Sequence, residues 1–248
     1  MKLQEIICEK SDLTVATPIN FKGRTFLPIS GDLAGEGVQA RVYHTGQGMV
    51  TKVASAESMD DPTLKFLKIV LDNQDNPFFP KIYHARLYKD KTGQKEHMLI
   101  VVQMEKLTPL QSSKIEDAAI GLFHQLGFEL NQSEEYKIAE RPPEKQKQAR
   151  IQYYARYVDM FFDATEEKRE KLLKSSKNPQ FNEAIRLLYP YVEYGMSDLH
   201  AANWMARLTK HGPQLVIIDP FTPDSFRNEY GEDDDWADME IEGIDKTK

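Results

Sequence analysis

The period at which apolar residues recur changes near residue 105, and that switch commits the chain to an α+β arrangement with strands first and helices after. Between Phe21 and Glu105, short runs rich in Val, Ile and aromatic residues are separated by glycine-containing turns, the pattern of strands. Residues 41–44 and 49–54 flank Thr45-Gly46-Gln47-Gly48, which predicts a tight hairpin. One helix interrupts the strands over residues 62–71. Asp61 can cap it, Pro62 suits its first turn, and Leu64, Leu67 and Leu71 recur at helical spacing. A loop over 73–80 and strands over 81–88 and 97–104, joined through Lys91-Thr92-Gly93, complete the order strand, strand, strand, helix, strand, strand.

After Leu107 the spacing is helical. Ser113-Lys114-Ile115-Glu116 has the form of a capping box, with Ile115, Ala119, Leu122, Phe123 and Leu126 as the stripe behind it. Pro142-Pro143 opens a second helix with the stripe Tyr154, Tyr157, Val158, Phe161 and Phe162. Asn178-Pro179 opens a third with Phe181, Ile185, Leu188 and Val192, which Pro190 ends or bends near Gly195. These aromatic stripes are core material and are assigned no chemistry. Two short strands are expected over 204–208 and 215–218, turning at His211-Gly212-Pro213. The organisation expected is a strand-rich part over 1–105, a helical part over 106–223 and an acidic tail over 224–248.

Charge sharpens this division. The 248 residues carry 32 Lys plus Arg and 39 Asp plus Glu, for a net charge of −7; residues 224–248 hold 10 acids and 3 bases, leaving 29 of each before them. A neutral body supports neither direct nucleic-acid binding nor attachment to an anionic membrane, and the tail composition is that of a disordered segment. The single cysteine, Cys8, forms no internal disulfide, and no CxxC pair or His-rich cluster offers a zinc site, so a reducing compartment fits. The longest apolar-looking run, residues 98–102, is far too short to cross a bilayer. A soluble intracellular protein is expected.

Four local patterns carry chemistry. In Gly35-Glu36-Gly37-Val38-Gln39-Ala40-Arg41-Val42, glycines let a backbone turn approach a phosphate and aim N–H groups at it, although an ordinary hairpin turn uses the same residues. Lys52 is the only charge in residues 49–54. It is either solvent-facing or, through the pairing of its strand with the one leaving the glycines, beside those phosphates. In Ser197-Asp198-Leu199-His200-Ala201-Ala202-Asn203, Asp198 and Asn203 can converge as a proton acceptor and a metal ligand, or make a simple Asx-rich turn. Asp219 ends the apolar run Leu215-Val216-Ile217-Ile218, where a buried carboxylate costs several kcal/mol unless paired or metal-bound. Capping of the next turn is its other use.

The ordered set resembles the protein kinase superfamily, over Phe21 to Phe221. In that family a glycine-rich loop covers ATP, a lysine on the third strand contacts the phosphates, an H-R-D-x-x-x-x-N loop supplies the base and one metal ligand, and a D-F-G aspartate binds magnesium. Gly35, Gly37 and Ala40 match the three glycine positions, Val42 the following valine, and Lys52 the lysine. Asp198 and Asn203 match the catalytic Asp and Asn, and Asp219 the metal aspartate. The strand over 99–104 resembles the one entering the hinge, with Glu105, Lys106 and Leu107 receiving adenine. The resemblance implies a two-lobed fold with an antiparallel N-terminal sheet, one helix and a truncated helical C-terminal lobe. It also implies ATP and Mg²⁺ as cofactors, with Asp198, Lys52 and His200 catalytic and Asn203 and Asp219 on the metal.

The departures refine the resemblance. Met196-Ser197 stands in place of His-Arg, Asp198-Leu199-His200 is similar to aminoglycoside-type phosphotransferases, and Pro220-Phe221 follows Asp219 where D-F-G has its glycine. The helix over 62–71 has no Glu for Lys52, leaving Glu57, Asp60 or Asp61 as substitutes. Only 29 residues follow Asp219, with no A-P-E segment. This compact form resembles the serine/threonine protein kinases of T7-like bacteriophages. That implies γ-phosphoryl transfer to protein hydroxyls of a host, and to the enzyme itself, in the host cytoplasm during takeover. Two alternatives stand beside it: a small-molecule phosphotransferase, and a non-catalytic kinase-like inhibitor or binding module.

Overall fold

The computed structural model describes residues 7–9, 19–21, 24–26, 33–36, 40–46, 48–56, 58, 60–90, 97–194 and 196–222. The expected turn at 91–93, Gly37, Glu57 and the acidic tail lie outside the described residues. Among the described residues, thirteen strands and six α-helices are formed: β1 Ile7–Glu9, β2 Ile19–Phe21, β3 Arg24–Phe26, β4 Leu33–Glu36, β5 Ala40–Gly46, β6 Met49–Ala56, α1 Pro62–Asp72, β7 Ile82–Asp90, β8 His97–Glu105 and β9 Thr108–Pro109. They continue with α2 Glu116–Gln125, α3 Gln132–Ala139, α4 Pro143–Asp163, α5 Glu166–Ser175, α6 Pro179–Leu188, β10 Met196–Ser197, β11 Trp204–Thr209, β12 Gly212–Ile217 and β13 Phe221–Thr222. The class is mixed α+β, strand-rich first and helical after.

The main sheet has the order β1-β7-β8-β6-β5-β4. Five of its strands pair antiparallel, as expected of the N-terminal sheet, and β1 adds to the edge parallel to β7, with Ile7 opposite Leu87. A parallel partner contributed from far away in sequence leaves no local signature. The β5–β6 turn is the expected hairpin, and Gly48 within it has φ +74°, a left-handed conformation that glycine adopts without steric cost. Asp61 caps α1 by accepting from the Thr63 N–H at 2.8 Å, as the sequence predicts. The apolar side of α1, with Leu64 and Leu67, packs on Ala54, Ala56, Ala85, Leu87, Ile100 and Val102 of the sheet.

The helical part contains α2 to α6 rather than three helices. α3 and α5 are short and charged, and their stability comes from docking on α4 and from caps rather than from a strong apolar stripe. The predicted capping box at Ser113 is not formed: α2 begins at Glu116, Ile115 occupies the cap without a side-chain bond, and the Ser112 carbonyl takes the Glu116 N–H. A true capping box closes α3 instead, where Asn131 accepts from the Glu134 N–H and the Glu134 carboxylate accepts from the Asn131 N–H. The core is aromatic. Phe123 stacks on Tyr154 and meets Trp204 edge-on, while Phe181 meets Phe78 and Phe128 edge-on. Trp204 is wholly buried and begins β11, which pairs with β9 and β12 in a second, three-stranded sheet.

Candidate functional site

Register places one row of residues across the main sheet. Gly35 lies opposite Val42, Val42 opposite Lys52, Lys52 opposite Val102, and Val102 opposite Ala85. Directly opposed residues share a face, so Lys52 lies on the side of the sheet that α1 covers, two strands and roughly 10 Å from Gly35. Ala40 lies opposite Ala54 in the same β5–β6 pairing. A lysine on this face is not a solvated surface residue; its side chain is 16 % exposed.

The Lys52 ammonium donates to Asp219 Oδ2 at 2.5 Å, bridging 167 positions of sequence. Asp219 follows β12 and is one-third exposed, and both members of this pair line a pocket of about 420 Å³, part of it open to solvent. Phe66, Leu67 and Val70 of α1 and Ile100, Val102 and Met104 of β8 form its apolar walls. Of the substitutes named for the missing α1 glutamate, Asp61 is the α1 cap and Asp60 pairs with Lys65 at 2.7 Å, while Glu57 lies outside the described residues. Lys52 has turned to Asp219 because no carboxylate on α1 faces it; the sole acid of that helix, Asp72, lies at its far end.

A second group forms on the segment between β10 and β11. The Asn203 side-chain amide donates to the Asp198 carbonyl at 2.6 Å and to Asp198 Oδ2 at 3.1 Å. His200 Nδ1 accepts from the Ala202 N–H at 3.1 Å, which puts the ring proton of the neutral imidazole on Nε2, 3.4 Å from Asp198 Oδ1. Asp198, His200 and Asn203 are therefore brought together. The two groups are tied by main chain: Asp198 N–H donates to the Pro220 carbonyl at 2.9 Å and Ile218 N–H to the Asn203 carbonyl at 3.0 Å, beside the β10–β13 pairing of Ser197 with Phe221. Asp198 and Asp219, the candidate base and the candidate metal ligand, hence belong to one hydrogen-bonded unit.

Two anchors of this unit were not read from the sequence. Asp159 of α4 accepts from Ser197 Oγ and, at 3.0 Å, from the Leu199 N–H, gripping the chain on either side of Asp198. The signal available was an acid inside the apolar run Tyr157-Val158-Asp159-Met160-Phe161-Phe162. Trp204 Nε1 donates to the Leu199 carbonyl at 3.0 Å from full burial.

The segment expected to receive adenine is built into the structure by several bonds. The Glu105 carboxylate accepts from the Lys81 N–H at 2.7 Å and from Arg207 at 2.5 and 2.8 Å. The Lys106 N–H is bonded to the Gly48 carbonyl at 2.8 Å. Leu107 is buried where β8 hands over to β9, and neither it nor Val42 lines the 420 Å³ pocket.

Among the described residues, no group of three or more His, Cys, Asp and Glu side chains is assembled around a point where a metal ion could sit. Mg²⁺ shared with nucleotide phosphates needs only one or two oxygen side chains, and Asp219 with Asn203 supply that donor chemistry. The Lys52 ammonium already rests against Asp219, so positive charge is accepted there. No helix among the described residues is long and apolar enough to cross a membrane. Neither protein-family models nor curated proteins yield a match to the chain.

Proposed function

We propose that the protein is an ATP-dependent protein kinase of compact, two-lobed form that transfers the γ-phosphoryl group to serine and threonine hydroxyls. The observation that carries this is the contact of Lys52, on the third strand of the β4–β5–β6 run, with Asp219 at 2.5 Å, on a segment bonded through Pro220 to Asp198. On this reading a phosphate-binding lysine and a metal aspartate line one pocket, and the carboxylate base is tied to them by the main-chain bond from Asp198 to Pro220. The glycine positions one and two strands away support the same arrangement.

In this reaction the acceptor oxygen forms a bond to the γ-phosphorus, the bond from that phosphorus to the departing ADP oxygen breaks, and Asp198 takes the acceptor proton. Asp219 and Asn203 would hold Mg²⁺, which would supply charge neutralisation at the phosphate oxygens. Lys52 exchanges Asp219 for phosphate when nucleotide enters. His200, through Nε2–H, keeps one oxygen of Asp198 oriented and leaves the other to Asn203. The acceptors fitting a compact phage-type enzyme are proteins of a host cell, and the chain itself.

A second reading, transfer to a small-molecule hydroxyl, draws on the Asp198-Leu199-His200 motif and on the long helical stretch α2 to α6 that precedes it in the sequence. The test is to supply Mg-ATP labelled at the γ-phosphate with a bacterial protein extract in one reaction and an aminoglycoside in another, each with wild type and Asp198→Asn. Label in proteins, lost in the variant, supports the first reading. Label only in the aminoglycoside supports the second, and none in either overturns both.

A further inference from the structure

We infer that Asp159 is the positioning residue that holds the Asp198 loop in its working conformation, an inference that rests on the phosphoryl-transfer reading for its catalytic consequence. One oxygen, Asp159 Oδ1, accepts from both Ser197 Oγ and the Leu199 N–H, at the residues immediately before and after Asp198. Asp159 itself cannot shift, because α4 is fixed by Ile151, Tyr154, Ala155 and Val158, all buried in the main core. A carboxylate projecting from a rigid helix is an acceptor-only group, so it selects the loop conformation that presents two donors to it.

The loop has further anchors: Asp198 N–H on Pro220, Ser197 paired with Phe221, the Asn203 amide on the Asp198 carbonyl and Oδ2, and Trp204 Nε1 on the Leu199 carbonyl. None of these engages the Ser197 hydroxyl or the Leu199 N–H, the two donors that flank Asp198 and that Asp159 takes. The direction of the Asp198 carboxylate, and with it the distance from base to acceptor hydroxyl, then depends also on a residue that touches neither nucleotide nor acceptor. Misplacement of a base by about 1 Å lowers a rate by about 10²-fold, whereas nucleotide affinity, set at Lys52 and Asp219, is untouched.

The test compares wild type with Asp159→Ala, Asp159→Asn and Ser197→Ala, measuring kcat, KM for ATP and the hydrogen-exchange rate of the Leu199 amide. Asp159→Ala is expected to lower kcat by 30- to 100-fold with KM for ATP changed less than threefold. Asp159→Asn keeps an accepting oxygen and should recover most of that loss, and Ser197→Ala, which loses one of the two bonds, should fall between. The Leu199 amide should exchange faster in Asp159→Ala and at the wild-type rate in Asp159→Asn. A wild-type kcat in Asp159→Ala, or equal loss in the Ala and Asn variants, overturns the inference while leaving the function intact. If the wild type transfers no phosphate at all, the functional reading fails, and the exchange rate alone then decides the anchoring: unchanged Leu199 exchange in Asp159→Ala overturns it. Should Asp159→Ala not fold, Ser197→Ala carries the test, and a wild-type kcat together with wild-type Leu199 exchange in that variant overturns the inference.

Discussion

Replacing Arg207 with leucine should unfold the junction between the two parts of the molecule more readily than any surface change. Arg207 on β11 spends four N–H···O bonds there: two on the Glu105 carboxylate at 2.5 and 2.8 Å, one on the Pro77 carbonyl at 2.9 Å and one on the Phe79 carbonyl at 2.8 Å. The two side chains are only 17 % and 11 % exposed, so the variant leaves Glu105 as a charge with little access to water. Removing one member of such a pair costs about 3–5 kcal/mol. For a chain of this size each kcal/mol lowers Tm by about 2–4 °C, which predicts a drop of roughly 6–20 °C. The double replacement Arg207→Leu with Glu105→Leu removes the stranded charge; the two carbonyls lose their donor and the Lys81 N–H its acceptor. It should be more stable than the single variant though below wild type. Urea titration of the three variants and wild type gives the free energies. A single variant within 1 kcal/mol of wild type, or a double variant less stable than the single, would refute the reasoning.

Lys52→Ala should weaken Mg-ATP binding, read as a smaller nucleotide-induced rise in Tm, and also lower turnover; Asp198→Asn should lower turnover alone, and equal effects of the two on binding would contradict the assigned roles. Glu135 is held below the ordinary carboxylate range by its hydrogen bond to Arg150, opposed in part by burial. Its stabilising contribution is therefore complete above its unfolded pKa and is lost as pH falls through its folded pKa. Glu135→Gln should flatten the decline of Tm between about pH 5 and pH 3, and an unchanged slope would refute the pairing. Gly48→Ala meets no atom within 4 Å but forces an L residue to φ +74°, which should cost about 1–2 kcal/mol in urea titration.

The sequence made legible whatever depends on local spacing. The strand-to-helix switch, the Gly46–Gly48 hairpin, the Asp61 cap and the separate motifs that hold Lys52, Asp198 with Asn203, and Asp219 each rest on residues a few positions apart. What escaped depends on partners far away in the chain. The parallel docking of β1 on β7 has no local pattern, and Arg207 looks like an ordinary strand arginine until Glu105, 102 positions earlier, is set beside it. Lys52 was expected to seek an acid near α1 because only neighbouring segments could be searched; Asp219 is 167 positions away. Asp159 was hidden for a different reason. Its aromatic neighbours identify the helix as core, and the amphipathic pattern alone does not say which polar residue of that helix meets a loop.

The central claim is that Lys52, Asp198, Asn203 and Asp219 form one phosphoryl-transfer site. Its most direct test is intact-mass measurement of the purified chain, first confirmed unmodified, after incubation with Mg-ATP. The account predicts that phosphate accumulates on the wild-type chain from the first minutes without an added activating kinase, and that none accumulates on Asp198→Asn or Asp219→Asn. Unmodified wild-type chain that also leaves added protein acceptors unlabelled, or phosphate accumulating equally on Asp198→Asn, would contradict it.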